Sequence, residues 1–112
     1  MPSRMRIISK ATVNDFVGVN PKSRKELTIW VAVTELAAWQ SIADVKATFG
    51  HRVDFVSVAS GATVAVFDIR NNDWRLIAAV HFVETMPIKG RVYVLRILTH
   101  KEYDTNGWKQ EL

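Results

Sequence analysis

Apolar positions follow two different periods along this chain. Up to Gly50 they recur every three or four residues, the spacing of one helical face, and from Val53 they form short β-branched and aromatic runs. After a brief apolar start at Met5 to Ile8, Ser9 can cap a helix running through Phe16 and Val17 and ending near Gly18. Asn20-Pro21 opens a second helix, with Pro21 in the first turn, where its missing N–H costs nothing. Along it Leu27, Trp30, Val31, Thr34 and Ala38 form a stripe that should face a core. Ser41 begins a third, shorter helix carrying Ile42, Val45, Lys46 and Phe49, stopped by Gly50.

The second half reads as strands. Val53 to Val58 and Thr63 to Ile69 are separated by Ala59-Ser60-Gly61-Ala62. Asn71-Asn72-Asp73 signals a tight turn, because Asn and Asp tolerate left-handed backbone. Trp74 to Val83 follows as a long strand, then a looser turn over Glu84 to Gly90, a strand from Arg91 to Leu98, and a short helix over His100 to Asp104 capped by Thr99. Consecutive strands with short connections pair antiparallel. The expected fold is therefore α+β, with N-terminal helices packed on one face of a twisted, mainly antiparallel sheet of four to five strands. The other face should be open to a ligand. We expect a single domain over residues 1–112, helical over about 9–50, sheet over about 53–98 and closed by a short helix over about 99–105.

Composition narrows the chemistry. A chain of 112 residues can hide about two-thirds of its unfolded surface, so it can build a core without staples. It contains no Cys, which removes disulfides, thiolate nucleophiles and zinc ribbons. No stretch reaches the roughly 18 apolar residues that span a bilayer, and Met1 to Lys10 is basic without a secretory apolar core, so a soluble, cytoplasmic protein with no membrane partner is expected. The net charge of +4 lies in residues 1–52, where eight Lys and Arg face four acids; the remainder is balanced. Such an excess favours an anionic partner, nucleic acid first.

Metal binding is not expected: His51, His81 and His100 are thirty and nineteen positions apart, with no paired-ligand spacing. Nor is there a phosphate-cradling Gly loop or a nucleophile elbow. Polar groups nevertheless stand in two apolar settings. Arg75 opens an otherwise apolar strand, and Arg96 lies between Leu95 and Ile97. Arg75 can point to water beside Asp73, whereas a cation at Arg96 must be paired or meet an anion. Thr99-His100-Lys101-Glu102-Tyr103-Asp104 gathers His, Lys, Tyr and two carboxylates where the last strand ends, either as a solvated turn or as a loop held by a rigid sheet. Together these groups suit RNA. Its 2′-hydroxyl is an internal nucleophile, so cleavage needs only a base, an acid and cations around the phosphorane, without metal or cofactor. Arg offers a planar fork to phosphate and His titrates near neutrality. The same set would equally serve RNA binding without cleavage.

The run Val66-Phe67-Asp68-Ile69-Arg70-Asn71-Asn72-Asp73-Trp74-Arg75-Leu76, then Tyr93-Val94-Leu95-Arg96, then Thr99-His100-Lys101-Glu102-Tyr103-Asp104, resembles the HigB family of type II toxins, as does Ala43 to Phe49. The resemblance covers about Met5 to Trp108. It implies a RelE-like fold and an mRNA interferase, an endoribonuclease that cleaves messenger RNA on the translating ribosome and is silenced by a HigA-like helix-turn-helix antitoxin. It places Arg75, His100, Lys101 and Tyr103 around the scissile phosphate, with Lys46, Arg70 and Arg96 as further RNA contacts. If Val83 pairs with Arg91, Arg96 falls on the face opposite Arg75, and one bulge would reverse that. Two other readings stand beside it: a non-catalytic module that binds RNA or the ribosome, and a partner-binding protein using Trp30, Trp39, Trp74 or Trp108.

Overall fold

The computed structural model describes residues 5–71, 73–82 and 90–112. Met1 to Arg4, Asn72, the Val83 end of the fourth expected strand, its pairing with Arg91 and the turn over Glu84 to Lys89 lie outside the described residues. The elements are β1 (Arg6–Ile8), α1 (Lys10–Val19), α2 (Arg24–Leu36), α3 (Ile42–Phe49), β2 (Val53–Ser57), β3 (Thr63–Ile69), β4 (Trp74–His81), β5 (Arg91–Thr99), α4 (His100–Asp104) and α5 (Trp108–Glu111). The strands form one mixed sheet in the order β1-β5-β4-β3-β2, antiparallel except where β1 runs parallel to β5. This is the α+β arrangement expected, with the apolar start at Met5 to Ile8 supplying the fifth strand.

Local chemistry sets the boundaries. Ser41 accepts a hydrogen bond from Asp44 N at 3.4 Å to open α3, and Gly50 ends it at φ 61°, a left-handed angle that suits glycine. Thr99 and Glu102 form a reciprocal capping box at the start of α4 (Oγ1 accepting at 3.1 Å, the Glu102 carboxylate at 2.9 Å). Two helix expectations are corrected. Ser9 precedes α1 but makes no side-chain cap; its φ of 74° turns the chain out of β1, and only its backbone carbonyl accepts from Thr12. Pro21 starts a single 3-10 turn, Pro21–Ser23, before α2 proper, and Ala38 lies beyond the helix and exposed, so the buried stripe is Leu27, Trp30 and Thr34.

The helices cover one face. Val13, Leu27, Trp30 and Val45 pack on Val53, Phe67, Leu76, Ala78, Val92 and Val94. The other face is not left bare, as expected, because alternation also points Val64, Val66 and Ile77 that way. Trp108 covers them, helped by Tyr103 and Leu112, in a second small core. All four tryptophans are buried, at 9% exposure or less, so they serve packing and not an external partner.

The β4–β5 register carries a bulge between Ile77 and Ala78. Ala78 pairs with Val94, but Ile77 pairs with Arg96 and Arg75 with Leu98. Direct partners share a face, so Arg96 lies on the same side as Arg75. The opposite-face expectation assumed an unbroken ladder, and the extra residue overturns it.

Candidate functional site

Asp68 and Arg75 are direct cross-strand partners on β3 and β4, on the face away from α1, α2 and α3. Arg75 Nε lies 3.1 Å from Asp68 Oδ1, and the Arg75 side chain is only 11% exposed. A cation this withdrawn from water needs a counter-charge, and Asp68 supplies it. The alternative of an Arg75 pointing to water beside Asp73 is thereby excluded; Asp73 instead lies 3.8 Å from Arg70. Above the Arg75 guanidinium, 5.2 Å from it, sits the Tyr103 ring.

Tyr103 arrives from the other end of the sequence because α4 is pinned to the β3–β4 turn, with His100 N donating to Asp73 O at 3.2 Å. Arg70 and Asn71 in that turn both adopt left-handed backbone, φ 53° and 51°. Trp108 completes the support. Its ring stacks on Tyr103 at 5.3 Å, and its Nε1 donates to Tyr103 O at 3.1 Å. Burial raises the phenol pKa above its ordinary value of 10.0; Arg75 opposes this, while Asp54, Asp68 and Asp104 add to it. Tyr103 is therefore a proton-bearing donor at neutral pH.

A cleft of about 350 Å³ opens here, lined by His51, Val53, Asp54, Val66, Asp68, Arg75 and Tyr103. It holds a supported cation, a protonated phenol, an imidazole and two carboxylates, the kinds of group that stabilise a charged phosphorus centre and move protons around it.

The expected site residues divide. Arg75 and Tyr103 meet in the cleft. His100 and Lys101 sit on exposed α4 and do not line it; His100 Nε2 faces Asp104 at 3.2 Å. Arg70 lies next door, 5.8 Å over the Trp74 ring. Arg96 shares the face but is drawn to Glu111 of α5 at 3.4 Å and to Leu95 O at 3.0 Å. Lys46 is exposed on α3, away from the cleft lining. Sequence reasoning missed His51, Asp54 and Asp68 as cleft residues. Asp68 was discoverable, since a carboxylate within the apolar run Val64 to Ile69 requires a partner. His51 carried no such signal; the 3-10 turn Gly50–Arg52 delivers it.

Among the described residues no group of three or more His, Cys, Asp or Glu is placed to hold a metal ion, and no helix is long and apolar enough to cross a membrane. Curated proteins give no match. A family model does: HigB_toxin, the RelE-like toxic component of a toxin-antitoxin system, matches residues 23–106, three-quarters of the chain and nearly all the elements that build the cleft. The chain belongs to the HigB family of RelE-like toxins.

Proposed function

We propose that this toxin is an endoribonuclease that cleaves messenger RNA on the translating ribosome, using the Arg75–Tyr103 cleft, and that a HigA-like antitoxin neutralises it. The observation that carries the reading is the Arg75 guanidinium, 11% exposed and held between Asp68 and the Tyr103 ring. A buried, pre-oriented fork loses little entropy on meeting phosphate oxygens. The substrate's 2′-hydroxyl attacks the adjacent phosphorus, Arg75 takes the developing negative charge, and the 5′ oxygen leaves with a proton. Tyr103, whose raised pKa keeps it protonated, donates to a phosphoryl or leaving oxygen. His51 and Asp54 are the cleft groups able to accept the 2′ proton. His100 and Lys101, exposed on α4, act as outer RNA contacts, as do Lys46, Arg70 and Arg96. The chemistry calls on no metal or cofactor, since nucleophile and charge stabiliser are already supplied.

The double variant Arg75→Ala, Tyr103→Ala tests this through growth arrest and mRNA cleavage in cells. Loss of both supports the site; full toxicity would defeat it. RNA binding that persists without any cleavage by the wild-type chain, even on ribosomes, would instead establish a binding module.

A further inference from the structure

Two more clefts adjoin the one at Arg75. The first, about 230 Å³, is lined by Glu26, His51, Arg52, Asp68, Arg70 and Asn71. The second, about 130 Å³, shares Glu26, Arg52 and Arg70 and adds an apolar wall that includes Val33 of α2 and Phe49 of α3. His51 and Asp68 also line the Arg75 cleft. The three are thus one groove, running from Arg75 past the start of β2 to the wall between α2 and α3.

Glu26 is out of place in a groove for a polyanion. It is half-buried, and among the described residues it makes no ion pair. A carboxylate can only accept hydrogen bonds, so beside a phosphate backbone it repels. It becomes useful if it meets the donor edge of a nucleobase. Guanine presents two adjacent donors, N1–H and the exocyclic N2–H, which match the two carboxylate oxygens; adenine, cytosine and uracil each offer one donor group on that edge. Val33 and Phe49 give the base a flat apolar surface to lie on, and Arg52 and Arg70 give its phosphate a cationic rim.

We propose that this part of the groove is a guanine subsite: a guanine flanking the scissile phosphate lies against Val33 and Phe49 and donates to Glu26, while Arg52 and Arg70 hold the backbone. The subsite rests on reading the Arg75 cleft as the RNA-cleaving centre, and it gives that centre a base preference.

The test is an NMR titration of the full chain with uncleavable 2′-O-methyl tetranucleotides carrying guanine, inosine or adenine at each position in turn. Inosine keeps N1–H and lacks the N2 amino group. At one position guanine should bind about 10- to 100-fold tighter than inosine, the worth of one hydrogen bond to a charged acceptor. Glu26→Gln should bring that ratio close to unity while the amide spectrum stays that of a folded chain. Equal wild-type affinity for guanine and inosine overturns the proposal, and so does an undiminished preference in the variant. A guanine preference without cleavage of any RNA would keep the subsite and remove the nuclease reading. Cleavage without the preference would do the reverse.

Discussion

Replacing Arg75 by alanine separates the chemical role of the cleft from its structural one. The Arg75–Asp68 pair is 11% and 27% exposed, between a surface pair and a buried one. Breaking a fully buried pair from one side costs about 3–5 kcal/mol and an exposed pair at most about 1, so about 2 kcal/mol is expected here. The melting temperature should fall by about 8–16 °C on the scaling for small domains. Against a typical stability of at least about 5 kcal/mol, the variant remains about 99% folded at 25 °C. Lost folding therefore cannot account for much lost activity. Removing the principal charge stabiliser should slow single-turnover cleavage on purified translating ribosomes by about 10²–10³. Arg75→Lys should fall between, because it keeps the charge and loses the fork. Calorimetry reads the first effect and cleavage rates the second. A folded Arg75→Ala chain whose rate stays within about tenfold of wild type, under about 1.4 kcal/mol of barrier, would refute the assignment.

Three further outcomes are expected. Trp108→Ala removes a 5%-exposed ring and the stack behind Tyr103, so chemical denaturation should show a loss of about 3–5 kcal/mol, and cleavage should fall even where the chain stays folded. The raised pKa of Tyr103 means the folded chain holds that proton more tightly than the unfolded one. Its contribution to stability is present below pH 10 and lost as pH rises through the folded value, so Tyr103→Phe should flatten the alkaline limb of stability against pH, read beside phenolate absorbance. Thr34 is 0% exposed and its hydroxyl has no hydrogen-bond partner among the described residues, so Thr34→Val should leave stability unchanged or raise it by about 1 kcal/mol; a clear loss on thermal unfolding would reveal a bond the hydroxyl makes.

Sequence pattern carried most of the fold because the decisive signals were local. Ser41 and Gly50 bracket α3, Thr99 with Glu102 opens α4, and the β-branched run from Thr63 to Ile69 is β3. What it missed depended on distance. Three residues at Arg6–Ile8 are too few to show a period, and their strand exists only because β5 offers a parallel edge. The bulge beside Ile77 leaves no mark in composition, yet it decides which face Arg96 occupies. Trp108 reads as one more aromatic until the apolar alternation on the second face requires a cover.

The same division holds at the site. Arg75 and Tyr103 stood out because a cation opening an apolar strand and a phenol at a strand end both need an explanation. His100 stood out more strongly, yet it sits on the outward side of α4 with Asp104, while His51 enters the cleft through a turn with no sequence signature. A helix of five residues shows only part of its surface to the sheet, and pattern alone does not say which part.

The central claim is that RNA is cut in this cleft by its own 2′-hydroxyl. It is tested most directly by the ends of the fragments released from a ribosome-bound mRNA, with a matched substrate carrying a single 2′-deoxy nucleotide at the cut. The account predicts a 2′,3′-cyclic phosphate facing a 5′-hydroxyl, and no cut at the deoxy position. Fragments ending in a 3′-hydroxyl and a 5′-phosphate, or undiminished cleavage at the deoxy position, would contradict it.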